Sequence, residues 1–259
     1  MFRLAKSTIR KLFRVLGYDI IDHRPLTEAE SNQFPRDYSE SDISTIKFVA
    51  PYTMTGPNRI LHMIRATSYI AKNRIPGAIV ECGVWRGGSM MAAARTLLEN
   101  DITDRELYLY DTFTGMTEPT EVDVRCTGEH ALDRFRERQT GEDQSDWCHA
   151  SLHDVQQAMQ LTSYDQQKIH YVSGKVEQTI PGTMPSTIAI LRLDTDWYDS
   201  TCHELTHLFP RLVKGGVLII DDYLAWKGQN KAVDEYIQKH QLKFFLHRID
   251  ESARMAIKV

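Results

Sequence analysis

The stretch TIAILRLDTD, residues 187–196, sets the fold. Its apolar run has the length of a strand and breaks off in Asp194 and Asp196, with Asp199 close behind. Continuous apolar runs bounded by turn residues suit strands buried on both faces, and therefore a parallel sheet. GGVLIIDDY, residues 215–223, repeats the pattern and ends in Asp221 and Asp222. Carboxylates gathered at two strand ends would repel one another by on the order of several kcal/mol unless a positive group sits among them.

Working outward, AIVECGV (78–84), ELYLYDTF (106–113) and KIHYVSG (168–174) have the same strand character. Helical segments fall between them. GPNRILHMIRATSYIAKNRIPG (56–77) has Pro57 in its first turn and is closed by Pro76-Gly77. SMMAAARTLLEN (89–100), ASLHDVQQAMQ (150–160), STCHELTHLFPRL (200–212) and NKAVDEYIQKH (230–240) follow. KFFLHRI (243–249) and RMAIKV (254–259) are too close for a crossover, so they pair as an antiparallel hairpin at the sheet edge. Alternating strands and helices predict an α/β, doubly wound, mostly parallel seven-stranded sheet with a C-terminal antiparallel hairpin. Ligands of such sheets bind beyond the carboxyl ends of the strands, where every acidic cluster here falls. Residues 19–55 are mixed and polar, with Pro25, Pro35 and Pro51, and read as loops with short elements covering a site. The expected division is 1–55, a basic helix and lid segment, and 56–259, the main domain.

The 259 residues carry 42% hydrophobic and 25% charged side chains, ordinary globular values. A net charge of −4 offers no global basic field for nucleic acid. Cys82, Cys126, Cys148 and Cys202 are scattered without a CxxC pair, as reduced thiols of a cytoplasmic protein would be. No apolar run approaches a membrane span. Residues 1–18, MFRLAKSTIRKLFRVLGY, are basic and amphipathic, with Ile9, Leu12, Phe13 and Leu16 at helical spacing. They suit an exposed helix or one packed in a homo-oligomer better than a peripheral contact with an anionic membrane surface.

ECGVWRGGS (81–89) closes the first strand and opens a helix. Gly83, Gly87 and Gly88 permit a tight turn and close approach of a ligand, although the pattern is neither GxGxxG nor a phosphate loop. Glu81 at this turn would repel a pyrophosphate and suit a cationic ligand. S-adenosylmethionine, with its sulfonium and ammonium, fits better than NAD. Asp111 ends the next strand, placed to accept from ribose hydroxyls. A plain glycine turn and a solvated aspartate are the alternatives.

PYTMTG, VECGVWRGGSMMAAA, LYLYDTFTGMTEPT, LRLDTDWYDST and PRLVKGGVLIIDDY resemble the macrocin O-methyltransferase family. The resemblance covers Pro51 to the C-terminus. It implies a class I methyltransferase, Rossmann-like, that methylates sugar hydroxyls of macrolides and aminocoumarins, using S-adenosylmethionine and a metal. Asp194, Asp221 and Asp222 would bind Mg²⁺, and three hard oxygen ligands without His or Cys independently suit Mg²⁺ or Mn²⁺ rather than zinc. Two neighbouring hydroxyls of a small-molecule or glycan acceptor could chelate that metal. Asp196 resembles the family's general base, with a supporting metal-site or helix-capping role as the alternative. Met54 and Thr55 would close over the cofactor, and Ser151, Gly174 and Lys175 would lie on its adenine side. Ser89, Thr112, Phe113 and Asp194 join Glu81, Gly83 and Asp111 in the expected cofactor set.

Asp199 and Ser200 are expected to cap the next helix, and Trp197 and Tyr198 either line the acceptor pocket or pack in the core. Residues 125–150 read as a mobile polar cover, and Met90 and Met91 as core. HELTH (203–207) matches the HExxH of zinc peptidases. Leu205, Leu208, Phe209 and Leu212 form that helix's apolar face, which turns His203 and His207 toward solvent and argues against a zinc site. A catechol-type phenol O-methyltransferase has the same metal logic and is the nearest alternative. A non-catalytic cofactor-binding scaffold would have no use for the carboxylates.

Overall fold

The structure, a computed structural model, describes residues 34–243 and 245–259. The basic helix expected over 1–18 lies outside these residues. Helix α1 spans Glu40–Val49 inside the segment expected to be loops with short elements. It starts at a reciprocal cap: the Ser39 hydroxyl accepts from the Asp42 N–H, and the Asp42 carboxylate accepts from the Ser39 N–H at 2.9 Å. Helix α2, Pro57–Lys72, opens with Pro57, whose missing N–H costs nothing at that position. Then come β1 (Ala78–Cys82), α3 (Gly88–Glu99) and β2 (Leu107–Asp111). An insertion after β2 carries α4 (Ala131–Arg138) and a small hairpin of β3 (Gln139–Gly141) and β4 (Gln144–Ser145). The chain continues with α5 (Leu152–Gln160), β5 (Ile169–Ser173), α6 (Val176–Thr179), β6 (Ile188–Leu193), α7 (Tyr198–His207), β7 (Leu212–Ile220), α8 (Lys227–Lys239), β8 (His247–Arg248) and β9 (Arg254–Ile257).

Seven strands form one sheet in the order β5-β2-β1-β6-β7-β9-β8. The first five are parallel, and β9 runs antiparallel to both β7 and β8. The expected hairpin is therefore present, with β8 reduced to two residues at the edge. Strand β7 begins at Leu212 and passes through Gly215-Gly216, earlier than its apolar run suggests. Helices α1, α2, α3 and α5 pack together as one group, and α6, α7 and α8 as another. Residues Tyr38–Val259 make one compact unit.

Strand alternation decides what each face carries. Ala78, Val80 and Cys82 of β1 share a core with Leu205 and Leu208 of the α7 segment and Val233 of α8. Leu191 and Leu193 of β6 and Leu218 and Ile220 of β7 belong to that core as well. The intervening residues, Glu81, Arg192 and then Asp221 just past β7, face the other way. Register sets Glu81 opposite Arg192, and Arg192 opposite Ile219. Three ionisable residues thus converge on the face where α2 presents its first turn.

Candidate active site

The turn after β1 is built around a close approach. Gly83 has φ +81°, and a Cβ there would stand 2.1 Å from the carbonyl oxygen of Asp194. A side chain is excluded both by that contact and by the backbone conformation. The Asp194 N–H in turn donates to the Cys82 carbonyl at 2.8 Å, so the β1 and β6 ends are locked together. Asp111 fixes the turn from below. One of its oxygens accepts from the N–H groups of Val84 (2.8 Å) and Trp85 (3.1 Å), and the other from Phe113 (2.8 Å).

The positive charge among the carboxylates is supplied by the chain itself. Arg192, 3% exposed, pairs with Glu81, with Asp194 at 2.8 Å and with Asp221 at 2.6 Å. Arg59, from the first turn of α2, reaches Asp221 at 2.5 Å, Asp222 at 3.5 Å and Asp250 at 2.6 Å. Burial pushes Glu81 up to about 7, against the opposing pull of Arg192. Burial, reinforced by neighbouring carboxylates, also raises Asp194, Asp196 and Asp222. Asp196 sits at φ +70°, in the left-handed region that residues with a side chain seldom adopt, and it lines the cavity described below.

Two arginines do not exhaust the acidity. Glu81, Asp194, Asp196, Asp221, Asp222 and Asp250 surround them. Single carboxylate oxygens of Asp194, Asp221 and Asp222 lie within 4.8 Å of one another. Asp221 Oδ1 is buried and has no aligned hydrogen bond, although Arg192 stands beside it. A hard divalent cation fits this donor set of three carboxylates. Glu81 Oε2 is buried without a partner and belongs to a residue on the cavity wall, which suits an ammonium-bearing ligand.

These groups open into a cavity of about 380 Å³. One half is walled by Met54, Thr55, Glu81, Gly83 and Ser89, with Asp111 beneath. The other half is walled by the insertion and the start of α8: Met116, Arg125, Arg134, Trp147, Cys148 and Trp226. Arg59, Arg192 and the four aspartates 194, 196, 221 and 222 line it as well. A smaller cavity of about 70 Å³ adjoins it, lined by Gly83, Asp111, Thr112, Gly174, Lys175 and Asp194 among others. The expected cofactor residues are therefore brought together, with two exceptions. Ser151 caps α5, accepting from the Asp154 N–H, and lines neither cavity. Phe113 is buried at φ +55° and lines neither.

The insertion covers the site and is firmly tethered. The Cys126 N–H donates to Ala225 O (2.8 Å), the Lys227 N–H to Val124 O (2.8 Å) and the Met116 N–H to Trp147 O (2.8 Å). Fully buried Asp123 accepts from the Tyr198 N–H at 2.8 Å through one oxygen and from Thr120 through the other. Asp123 thereby takes the part expected of Asp199 and Ser200: α7 starts at Tyr198, before either, and its first N–H is held by the insertion. Trp197 is core, forming an edge-on cluster with Trp147 (5.5 Å) and Trp226 (5.1 Å). Trp147 and Trp226, not Trp197 or Tyr198, reach the cavity wall. Met90 and Met91 are fully buried.

The HELTH helix corrects one expectation. His203 and His207 are half-buried, not turned out to solvent; their rings pack 4.4 Å apart, and His203 Nε2 lies 2.9 Å from the Ile180 carbonyl. Glu204 between them is fully buried and accepts from the Thr195 hydroxyl at 2.9 Å, beneath the Asp194–Asp196 turn. Among the described residues, the three-member group of His, Cys, Asp or Glu that converges is Asp194, Asp221 and Asp222.

A family model described as Macrocin-O-methyltransferase (TylF) matches residues 10–256. The match begins well before Pro51, so it extends the resemblance into the N-terminal segment. Demethyldecarbamoylnovobiocin O-methyltransferase of Streptomyces niveus is 30% identical over 199 residues, 77% of this chain and 72% of that protein. Mycinamicin III 3''-O-methyltransferase of Micromonospora griseorubida is 30% identical over 225 residues, 87% of this chain and 84% of that protein. The solved structure of the O-methyltransferase NovP superposes with a TM-score of 0.70 at 29% identity, covering 80% of this chain and 82% of its own.

Proposed function

We propose, for a chain that belongs to the macrocin O-methyltransferase family, that its cavity serves methyl transfer from S-adenosylmethionine to a sugar hydroxyl, with a divalent cation at Asp194, Asp221 and Asp222. The observation that carries this reading is the position of the carboxylates. They line the wall of one cavity whose two halves suit a cationic cofactor and a hydroxylated acceptor. The sugar acceptor is supported by the mycinamicin and tetracenomycin glycoside methyltransferases among the relatives.

S-adenosylmethionine supplies the electrophilic methyl group, and the cation supplies a Lewis acid for the acceptor oxygens. The chain's own residues do the rest. Glu81 Oε2, unpaired and buried, receives an ammonium group. Gly83 lets the ligand lie against the backbone. Asp196 takes the hydroxyl proton onto its carboxylate; its raised affinity for protons makes it a stronger base once ionised. Arg59 and Arg192 hold Asp194, Asp221 and Asp222 in place, so that their oxygens face inward at a fixed spacing. Trp147 and Trp226 form part of the wall at the acceptor end of the cavity.

Calorimetry tests the reading directly. S-adenosylmethionine is expected to bind and NAD not. Mg²⁺ is expected to give its own isotherm, abolished by Asp221→Ala and by EDTA. Asp196→Asn is expected to keep both isotherms and to slow methyl transfer by roughly 10²- to 10⁴-fold. A protein that ignores S-adenosylmethionine with and without Mg²⁺ overturns the cofactor assignment, and unchanged turnover in Asp196→Asn removes Asp196 as the base.

A further inference from the structure

The acceptor half of the cavity contains two guanidiniums that the proposed chemistry does not use. Arg134 of α4 stands over the Trp147 ring, 4.6 Å from its centre, and Arg125 stands over Trp226 at 5.7 Å. Both arginines line the cavity, and both indoles are buried, 5.9 Å apart. Stacking on an aromatic face orients a guanidinium without occupying its N–H donors. Among the described residues Arg134 makes no ion pair and donates no hydrogen bond. Arg125 has one loose pair, with Glu129 at 3.5 Å on the surface.

They are not spent on the strand-end carboxylates: those pair with Arg59 and Arg192, each with three acids, and none pairs with Arg125 or Arg134. No carboxylate of the site pairs with Arg134, although the Cys148 thiol lies within the field of both Asp196 and Arg134. That thiol is pushed up to about 12 by burial and by Asp196, so it stays neutral and cannot serve as the arginine's counterion. The cavity is therefore polarised: carboxylates at the sheet end, and preorganised cationic donors on the wall made by the insertion.

We infer that Arg134, assisted by Arg125, binds an acidic group of the acceptor, a phosphate or a carboxylate carried by the same molecule as the hydroxyl to be methylated. This rests on the methyltransferase reading for the hydroxyl end alone. The planar fork of arginine matches either oxyanion through paired N–H donors. A neutral glycoside would leave Arg134 without a partner.

The test uses the full chain and three small probes at fixed ionic strength: glucose 1-phosphate, methyl glucuronide and neutral methyl glucoside. At least one acidic sugar is expected to bind roughly tenfold more tightly than the neutral one, with the preference weakening as salt is raised. The better of the two acidic probes identifies the source of the charge. Arg134→Gln is expected to abolish the preference and leave methyl glucoside binding unchanged. Arg134→Lys, which keeps the charge and loses the fork, is expected to retain part of it. Equal binding of all three sugars, no binding of either acidic sugar, or a preference that survives Arg134→Gln overturns the inference. S-adenosylmethionine is titrated into the same samples. Its failure to bind wild-type protein would strike the methyltransferase reading, whereas the sugar ranking alone decides the anion subsite.

Discussion

Glu81 and Arg192 occupy neighbouring strands, both all but sealed from water, and each is tolerable there because of the other. The arrangement has a pH signature. Glu81 titrates near 4.5 when unfolded and at about 7 in the folded chain. Between those values the unfolded chain loses the proton and the folded one keeps it. Stability contributed by the protonated form is therefore full below about 4.5 and falls as pH rises toward 7. Glu81→Gln, which cannot ionise, is expected to lack that slope and to be more stable than wild type above pH 7 by on the order of 3 kcal/mol. Urea midpoints at pH 4.5, 6 and 7.5 check this; parallel curves for the two proteins would mean that Arg192 keeps Glu81 ionised throughout. The acids themselves were legible, because carboxylates ending apolar runs stand out. Their arginine partners were not, since pairs such as Arg59–Asp221 join residues far apart in the chain. One signal was available: a lone arginine inside AILRLD, in a strand buried on both faces, must be paired.

At the level of elements, β1, β6 and β7 were readable because their apolar runs are continuous, and the mostly parallel character of the sheet followed from alternation with helices; its strand order did not. Helix α1 was missed because its polar stretch hides the start signal, a Ser39–Asp42 box in which aspartate stands where glutamate is the commoner partner. The insertion was legible as a cover and illegible as a tethered one. Its anchor, Asp123, is a single acid within a polar segment, and nothing nearby in sequence announces that it will hold the first N–H of α7. Asp123→Ala removes an acceptor for the Tyr198 and Thr120 N–H groups and the Thr120 hydroxyl. The expected cost is about 1–3 kcal/mol of stability. Amide exchange is expected to speed up in residues 116–150 and at the start of α7, while β1 and β6 keep their protection. Unchanged exchange in the insertion would show that its backbone bonds to Ala225 and Lys227 suffice.

For the molecule as a whole, the site is closed by a residue near the end of the chain. Asp250 lies between β8 and β9, its Oδ1 held by the N–H groups of Ser252 (2.9 Å) and Ala253 (2.7 Å) and its Oδ2 by Arg59. This draws part of the Arg59 charge away from Asp221 and Asp222. Asp250→Asn is expected to let Arg59 lean fully on those two acids and to weaken Mg²⁺ binding by roughly tenfold, with S-adenosylmethionine affinity unchanged. Calorimetry reads both, and equal or tighter Mg²⁺ binding would show that Arg59 and the cation do not compete.

Strand β9 lies between β7 and the edge, so β7 has an open side until residues through Ile257 are in place. On a ribosome, synthesis runs in the opposite sense to safety here. The parallel core can pair early, yet the flank next to Asp221 and Asp222 stays bare until β9 has emerged. A nascent chain halted before β9 would carry a complete set of acids and an apolar strand edge open to other chains. Protection from self-association would thus be acquired only when β9 is translated and pairs with β7.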